Sequence, residues 1–128
     1  MIEKLNKKII VFADGPKINE INIKLPINID GYTFNPSLFM KNNAKDYLSY
    51  SKEILEKCGD KPVSLEVISD TEDEMIRQGM ILGGLGKNVY VKVPIVFSNG
   101  KSTKEVIKKL IKENIQLNIT AIFTLDQI

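Results

Sequence analysis

Asn88-Val89-Tyr90-Val91-Lys92-Val93-Pro94 is a β-branched run with a lysine in its middle. In an extended chain Val89, Val91 and Val93 share one face, and Tyr90 and Lys92 share the other. A run this apolar has the pattern of a buried parallel strand covered on both faces. Pro94 lacks an N–H for a sheet ladder and closes the run, so Lys92 sits near its C-terminal end. The lysine has two readings. On an edge strand it blunts pairing with other chains. At a strand end that opens into a pocket, desolvation favours the uncharged amine, which is a nucleophile.

The rest of the composition narrows the chemistry. The chain has 128 residues, 43% hydrophobic and 27% charged, which predicts a single domain over 1–128 with one core of moderate size. Lysine and arginine number 18 against 16 aspartates and glutamates, and the signs are interspersed. That balance predicts neither nucleic acid nor a membrane surface as a partner. Lys4, Lys7 and Lys8, like Lys104, Lys108, Lys109 and Lys112, read as solvated faces. Cys58 is the only cysteine, so no intrachain disulfide can form. With no signal peptide or long apolar run, the expected compartment is the cytoplasm. The chain has no histidine, so Ser-His and Cys-His dyads are excluded and no His- or Cys-based metal site is expected. Acid-base work falls to Asp, Glu, Lys or Tyr. The only arginine, Arg77, lies in a predicted helix, away from the role of bidentate phosphate clamp.

Along the chain, Lys8 to Pro16 reads as a strand ending in a turn, with Asp14 at its C-terminal end. Lys17 to Pro26 has weak helical spacing and is equally an irregular connection. Gly31 to Pro36 reads as a second strand, with Asn35 held extended by the following proline. Ala44 to Cys58 carries a helical stripe of Tyr47, Ser51, Ile54, Leu55 and Cys58, stopped by Gly59. Pro62 to Ile68 alternates as a third strand, with Val63, Leu65 and Val67 on one face and Ser64, Glu66 and Ile68 on the other. Ser69-Asp70-Thr71-Glu72 has the form of a capping box opening a helix with Met75, Ile76, Gly79 and Met80 on one face, ended by Gly83-Gly84. After the Lys92 strand, Ser102-Thr103-Lys104-Glu105 predicts a second capped helix, carrying Val106, Ile107, Leu110 and Ile111 and stopping at Asn114. Gln116 to Phe123 is a fifth strand, and Thr124-Leu125-Asp126-Gln127 a third capping box.

Strands that alternate with helices predict parallel βα units, in either a doubly wound sheet or a (β/α) barrel. A doubly wound nucleotide fold places a glycine-rich turn after its first strand, whereas Gly83, Gly84 and Gly86 precede a strand and read as a helix end. Asp14, Asn35, Glu66, Lys92, Asn118 and Thr120 instead lie at or near strand C-terminal ends, the layout of a barrel active site. The expected fold class is therefore α/β, of the (β/α)8 TIM-barrel type. A full barrel has eight strands and about 250 residues, so this sequence reads as a barrel cut after strand 5.

Phe12-Ala13-Asp14, Tyr32-Thr33-Phe34-Asn35-Pro36-Ser37-Leu38, Ser64-Leu65-Glu66-Val67, Val89 to Pro94, and Leu117-Asn118-Ile119-Thr120, in this order and spacing, resemble the transaldolases and fructose-6-phosphate aldolases. The resemblance runs from Ile9 to the end and is nearest the short transaldolase-like group. It implies that Lys92 forms a Schiff base with a ketose phosphate, a small-molecule sugar-phosphate substrate, and that Asp14 takes the proton of the C4 hydroxyl as the C3–C4 bond breaks. It further implies that Glu66 and Thr120 hold the water used to form and hydrolyse the imine, and that Asn35 and Asn118 bind the dihydroxyacetone portion. A protonated imine is itself an electron sink, so no metal and no other cofactor is required. Phe34 stands where the family usually has a second threonine, which implies a reshaped pocket floor. The family's phosphate-binding serine and arginine belong to later strands.

Each residue also has a purely structural reading. Asp14 before Gly15-Pro16 suits a turn, as Asn35 does before Pro36, and Thr120 is an ordinary strand former. A structural ion pair between Lys92 and Glu66 would account for both charges. The alternative function is a catalytically silent half-barrel stabilised by self-association, as a homo-oligomer, or by a completing partner chain that covers its open edges. A class I aldolase of the deoxyribose-phosphate type shares the lysine chemistry but lacks the Asn-Pro-Ser and Asn-x-Thr pieces.

Overall fold

A computed structural model describes residues 9–35, 37 and 46–128. The predicted lysine face at Lys4, Lys7 and Lys8, the Pro36 and Leu38 positions, and the expected helix start at Ala44 lie outside these residues. Five strands form one sheet: β1 (Phe12–Asp14), β2 (Gly31–Phe34), β3 (Val63–Glu66), β4 (Val89–Pro94) and β5 (Leu117–Thr120). Their order is β1-β2-β3-β4-β5 and every neighbouring pair is parallel. Sequential parallel order is the connectivity of a (β/α) barrel, and no crossover of the doubly wound kind occurs. β4 lies between β3 and β5, which overturns the edge-strand reading of Lys92.

Three helices, α1 (Tyr47–Cys58), α2 (Glu72–Gly83) and α3 (Lys104–Lys112), cover one face of this sheet. Val63, Leu65, Val89, Val91 and Val93 are at most 1% exposed beneath them, and each such side chain contributes roughly 1.5–3 kcal/mol through burial. The helices present Ile54 and Cys58, Met75 and Leu82, and Val106 and Leu110 to the same core. Of the predicted stripes, Met80 and Ile111 turn outward, at 39% and 59% exposure. None of these three helices lies on the other sheet face. Alternation along β4 therefore separates buried valines from partly buried Tyr90, Lys92 and Pro94, so the strand is helix-covered on one face and not on both. Lys104, Lys108, Lys109 and Lys112 are exposed, and Lys108 and Lys109 pair with Glu105 and Glu113, a solvated face as expected.

Local chemistry departs from the expected signals at several points. Lys17 to Pro26 contains only a 3-10 turn, Ile18–Glu20, consistent with its weak helical spacing. α1 starts after Asp46, whose carboxylate accepts from Leu48 N at 3.1 Å. Neither internal capping box forms: Thr71 and Thr103 occupy the N-cap positions of α2 and α3 without a side-chain cap bond. Gln78 Oε1 instead accepts from the N–H groups of Ile68 and Ser69, taking the Ser69 N–H that Glu72 was expected to satisfy. At the end of the chain, Gln127 Oε1 does reach back to Thr124 N at 3.1 Å. Gly15 has φ +58, a left-handed conformation that glycine adopts without a Cβ penalty, and it turns the chain sharply after Asp14.

Candidate active site

The face without helices is layered by the register. Phe12 pairs with Gly31, and its ring lies across that glycine so closely that a Cβ there would stand 2.5 Å from Phe12 Cζ. The next row runs Asp14, Thr33, Ser64, Tyr90. The row above holds Glu66, Lys92 and Asn118, with Lys92 directly between the other two. Asn35 follows Phe34, the partner of Leu65, and so falls level with Glu66. Thr120 stands one pleat higher, opposite Pro94. The sheet thus brings Glu66, Lys92 and Asn118 together. It sets Asp14 one pleat lower and three strands away, roughly 14 Å along the sheet at about 4.8 Å per strand.

Glu66 is partly buried, and desolvation raises its pKa above the ordinary carboxylate value, with the positive charge of Lys92 pulling it back. The two are thus electrostatically coupled, yet among the described residues no ion pair joins them; the pairs that form are Arg77–Glu74, Lys108–Glu105 and Lys109–Glu113. The structural ion pair that would have accounted for both residues is absent there. An approximately 890 Å³ groove at the strand ends is lined by Asn35, Glu66, Asp70, Pro94, Phe97 and Ser98 among others. Asp14 lines a different groove of about 780 Å³, beneath the 17–29 connection, with Tyr32 and Lys61.

Three residues not assigned a role from the sequence hold this end of the sheet. Tyr47 Oη donates to the Glu66 carbonyl at 2.6 Å. Thr103 Oγ1 donates to the Pro94 carbonyl at 2.5 Å. Both bonds satisfy strand-end carbonyls with hydroxyls from the helical layer, fixing the backbone beside Glu66 and just past Lys92. Ser64, 2% exposed, accepts from Asn118 Nδ2 at 3.2 Å across the width of β4. Tyr47 was legible as part of a helical stripe and Thr103 as part of a capping pattern, but their carbonyl partners depend on the tertiary fold. Phe34 is 2% exposed in the core, while Thr33 occupies the uncovered face. The expected reshaping of the pocket floor by Phe34 is therefore overturned: its side chain packs under the helices.

No group of three or more Cys, Asp or Glu is placed to hold a metal ion among the described residues, and no described helix is long and apolar enough to cross a membrane. The family model described as transaldolase/fructose-6-phosphate aldolase matches residues 11–128, from just before β1 to the last residue. This chain belongs to that family. All five strands of the sheet fall within the transaldolase/aldolase match. The chain is 38% identical over 116 residues to a probable transaldolase of Thermoplasma volcanium, covering 88% of this chain and 50% of the relative. A probable transaldolase of Bdellovibrio bacteriovorus is 40% identical over 114 residues, covering 88% and 50%, and one from a Thermoanaerobacter species is 37% identical over 117 residues, covering 91% and 51%. The chain spans about half the length of these family relatives.

Proposed function

We propose that this chain carries the Schiff-base half of a transaldolase or aldolase site acting on a ketose phosphate. The observation that carries the reading is the row Glu66–Lys92–Asn118 on the uncovered sheet face: an amine flanked by a carboxylate and a carboxamide near strand C-terminal ends. The Lys92 amine attacks the C2 carbonyl, and loss of water from the carbinolamine leaves a protonated imine. Asp14 takes the C4 hydroxyl proton as the C3–C4 electron pair moves into the imine; the aldose leaves and an enamine remains. That enamine either adds to a second aldose or is protonated and hydrolysed. Glu66, its proton affinity raised by burial, and Thr120 hold the water that is lost and regained. Asn35 and Asn118 bind the dihydroxyacetone hydroxyls.

Borohydride reduction in the presence of dihydroxyacetone or fructose 6-phosphate, followed by peptide mass mapping, tests this. The expected adduct is on the Lys92 peptide and is lost in Lys92→Ala. A folded chain that traps neither ketone refutes the proposal.

A second reading rests on the sheet edges. Among the described residues β1 and β5 each have one unpaired edge, and Phe12 and Phe123 are 41% and 87% exposed. Such edges are usually covered. On this reading the chain is a silent piece that self-associates or binds a completing chain; a cooperatively melting monomer in sedimentation would contradict it.

A further inference from the structure

Ser64 is an unusual residue for its position. It faces the helix-free side of the sheet, yet it is 2% exposed, and its Oγ receives Asn118 Nδ2 at 3.2 Å from two strands away. Because Ser64 pairs with Tyr90 and Asn118 pairs with Lys92, this bond crosses β4 between those two side chains, immediately below Lys92. A carboxamide whose nitrogen is tied down has its oxygen turned the other way. Among the described residues Asn118 Oδ1 takes no hydrogen bond. It is a fixed acceptor in the same row as the amine.

We infer that Ser64 is a positioning residue: by holding Asn118 Nδ2 it aims Oδ1 at a hydroxyl of the ketone bound to Lys92, and thereby selects hydroxylated ketones over plain ones. This rests on the Schiff-base reading of Lys92 and adds a specificity element to it. The reason is energetic as well as geometric. A free asparagine on an exposed surface samples several rotamers and both amide orientations, and must lose that freedom when it binds. Ser64, itself buried and bonded to Asn118 Nδ2, removes that cost in advance. The acceptor then discriminates by what it lacks when a hydroxyl is missing: a ketone without one gains nothing from Asn118, whatever its affinity for the lysine.

The test is borohydride trapping at Lys92 as a function of ketone concentration, with dihydroxyacetone and with acetone, which has the carbonyl but no hydroxyl. Ser64→Ala is expected to raise the half-saturating dihydroxyacetone concentration about tenfold, the scale of one hydrogen bond, and to leave that for acetone unchanged. Asn118→Ala should likewise raise the half-saturating dihydroxyacetone concentration, the double variant should be no worse than either single one, and Ser64→Thr, which keeps the hydroxyl, should restore dihydroxyacetone trapping. Thermal melts establish that each variant is folded. Equal changes for the two ketones, no change for either, or additive effects in the double variant overturn the inference and leave Lys92 as the Schiff-base lysine. Absence of any adduct in the wild-type chain overturns that reading of Lys92, and this inference with it.

Discussion

Thr103 is suspended from the strand that carries Lys92: its Oγ1 donates to the Pro94 carbonyl at 2.5 Å and its N–H to the Ile95 carbonyl at 3.1 Å. The residue is fully buried. Thr103→Val keeps the shape and removes the hydroxyl, leaving the Pro94 carbonyl short of a partner away from water. We expect a loss of about 1–3 kcal/mol in urea unfolding, with Thr103→Ser retaining most of the stability. A neutral Thr103→Val would show that the Pro94 carbonyl needs no such partner.

Glu66 makes stability depend on pH. Burial raises its folded pKa above the ordinary value of 4.5, and Lys92 partly offsets the rise. The unfolded chain therefore releases this proton first. Its favourable contribution is complete below the unfolded pKa and is lost as pH rises through the folded value. Glu66→Gln removes that loss, so the variant should gain stability relative to wild type as pH is raised from 4 towards neutrality. Lys92→Met should enlarge the wild-type dependence by withdrawing the offsetting charge. Parallel stability curves for wild type and Glu66→Gln over this range would refute the assignment.

Cys58 is 3% exposed, and burial pushes its thiol up to about 11, against a smaller opposing influence of Lys61. It should therefore be inert to maleimide at pH 7 in the folded chain and react at the unrestricted rate in denaturant. Since this pKa is also raised on folding, its stabilising contribution holds below the unfolded thiol value of 9.0 and fades as pH climbs towards 11. Rapid native-state labelling would place the thiol outside the core.

Ala121 follows directly on Thr120 with φ +58. In that conformation the Cβ of an L-residue costs about 1–2 kcal/mol, more than the roughly 0.5–1 kcal/mol that glycine's extra freedom costs on folding. Ala121→Gly should raise stability by about 0.5–1 kcal/mol, read as a higher Tm. A lower Tm would mean that the methyl group makes contacts worth more than the strain.

What could be read before the structure depended on whether the signal was local. β3 and β4 announced themselves because their buried phase is made wholly of Val and Leu, and the stripe of α1 because Ser51, Ile54 and Cys58 recur at helical spacing. The polar strand ends pointed to a shared site, and Glu66, Lys92 and Asn118 do share a row. Asp14 shows the limit. Being at a strand end along the chain does not say which row that end reaches, and the register leaves it one pleat below the lysine. The capping box at Ser69 failed for a similar reason, because Gln78 took the Ser69 N–H, while at Ser102 the hydroxyl accepts from Lys104 N at 3.2 Å and not from Glu105 N. Gln78 lies within α2, six residues beyond the four-residue pattern that ends at Glu72. Ser64 was invisible as a partner of Asn118 because 54 residues separate them.

That separation also orders the events of folding. Every strand in this sheet pairs with the one made just before it, so each pairing closes a modest loop and can be completed as the chain lengthens. The Ser64–Asn118 bond cannot. It spans an entire intervening strand and waits until β3, β4 and β5 are all in register. The hydrogen bond beneath Lys92 is thus a late step of assembly, and a chain with its first four strands already paired would still present an amine without its oriented carboxamide.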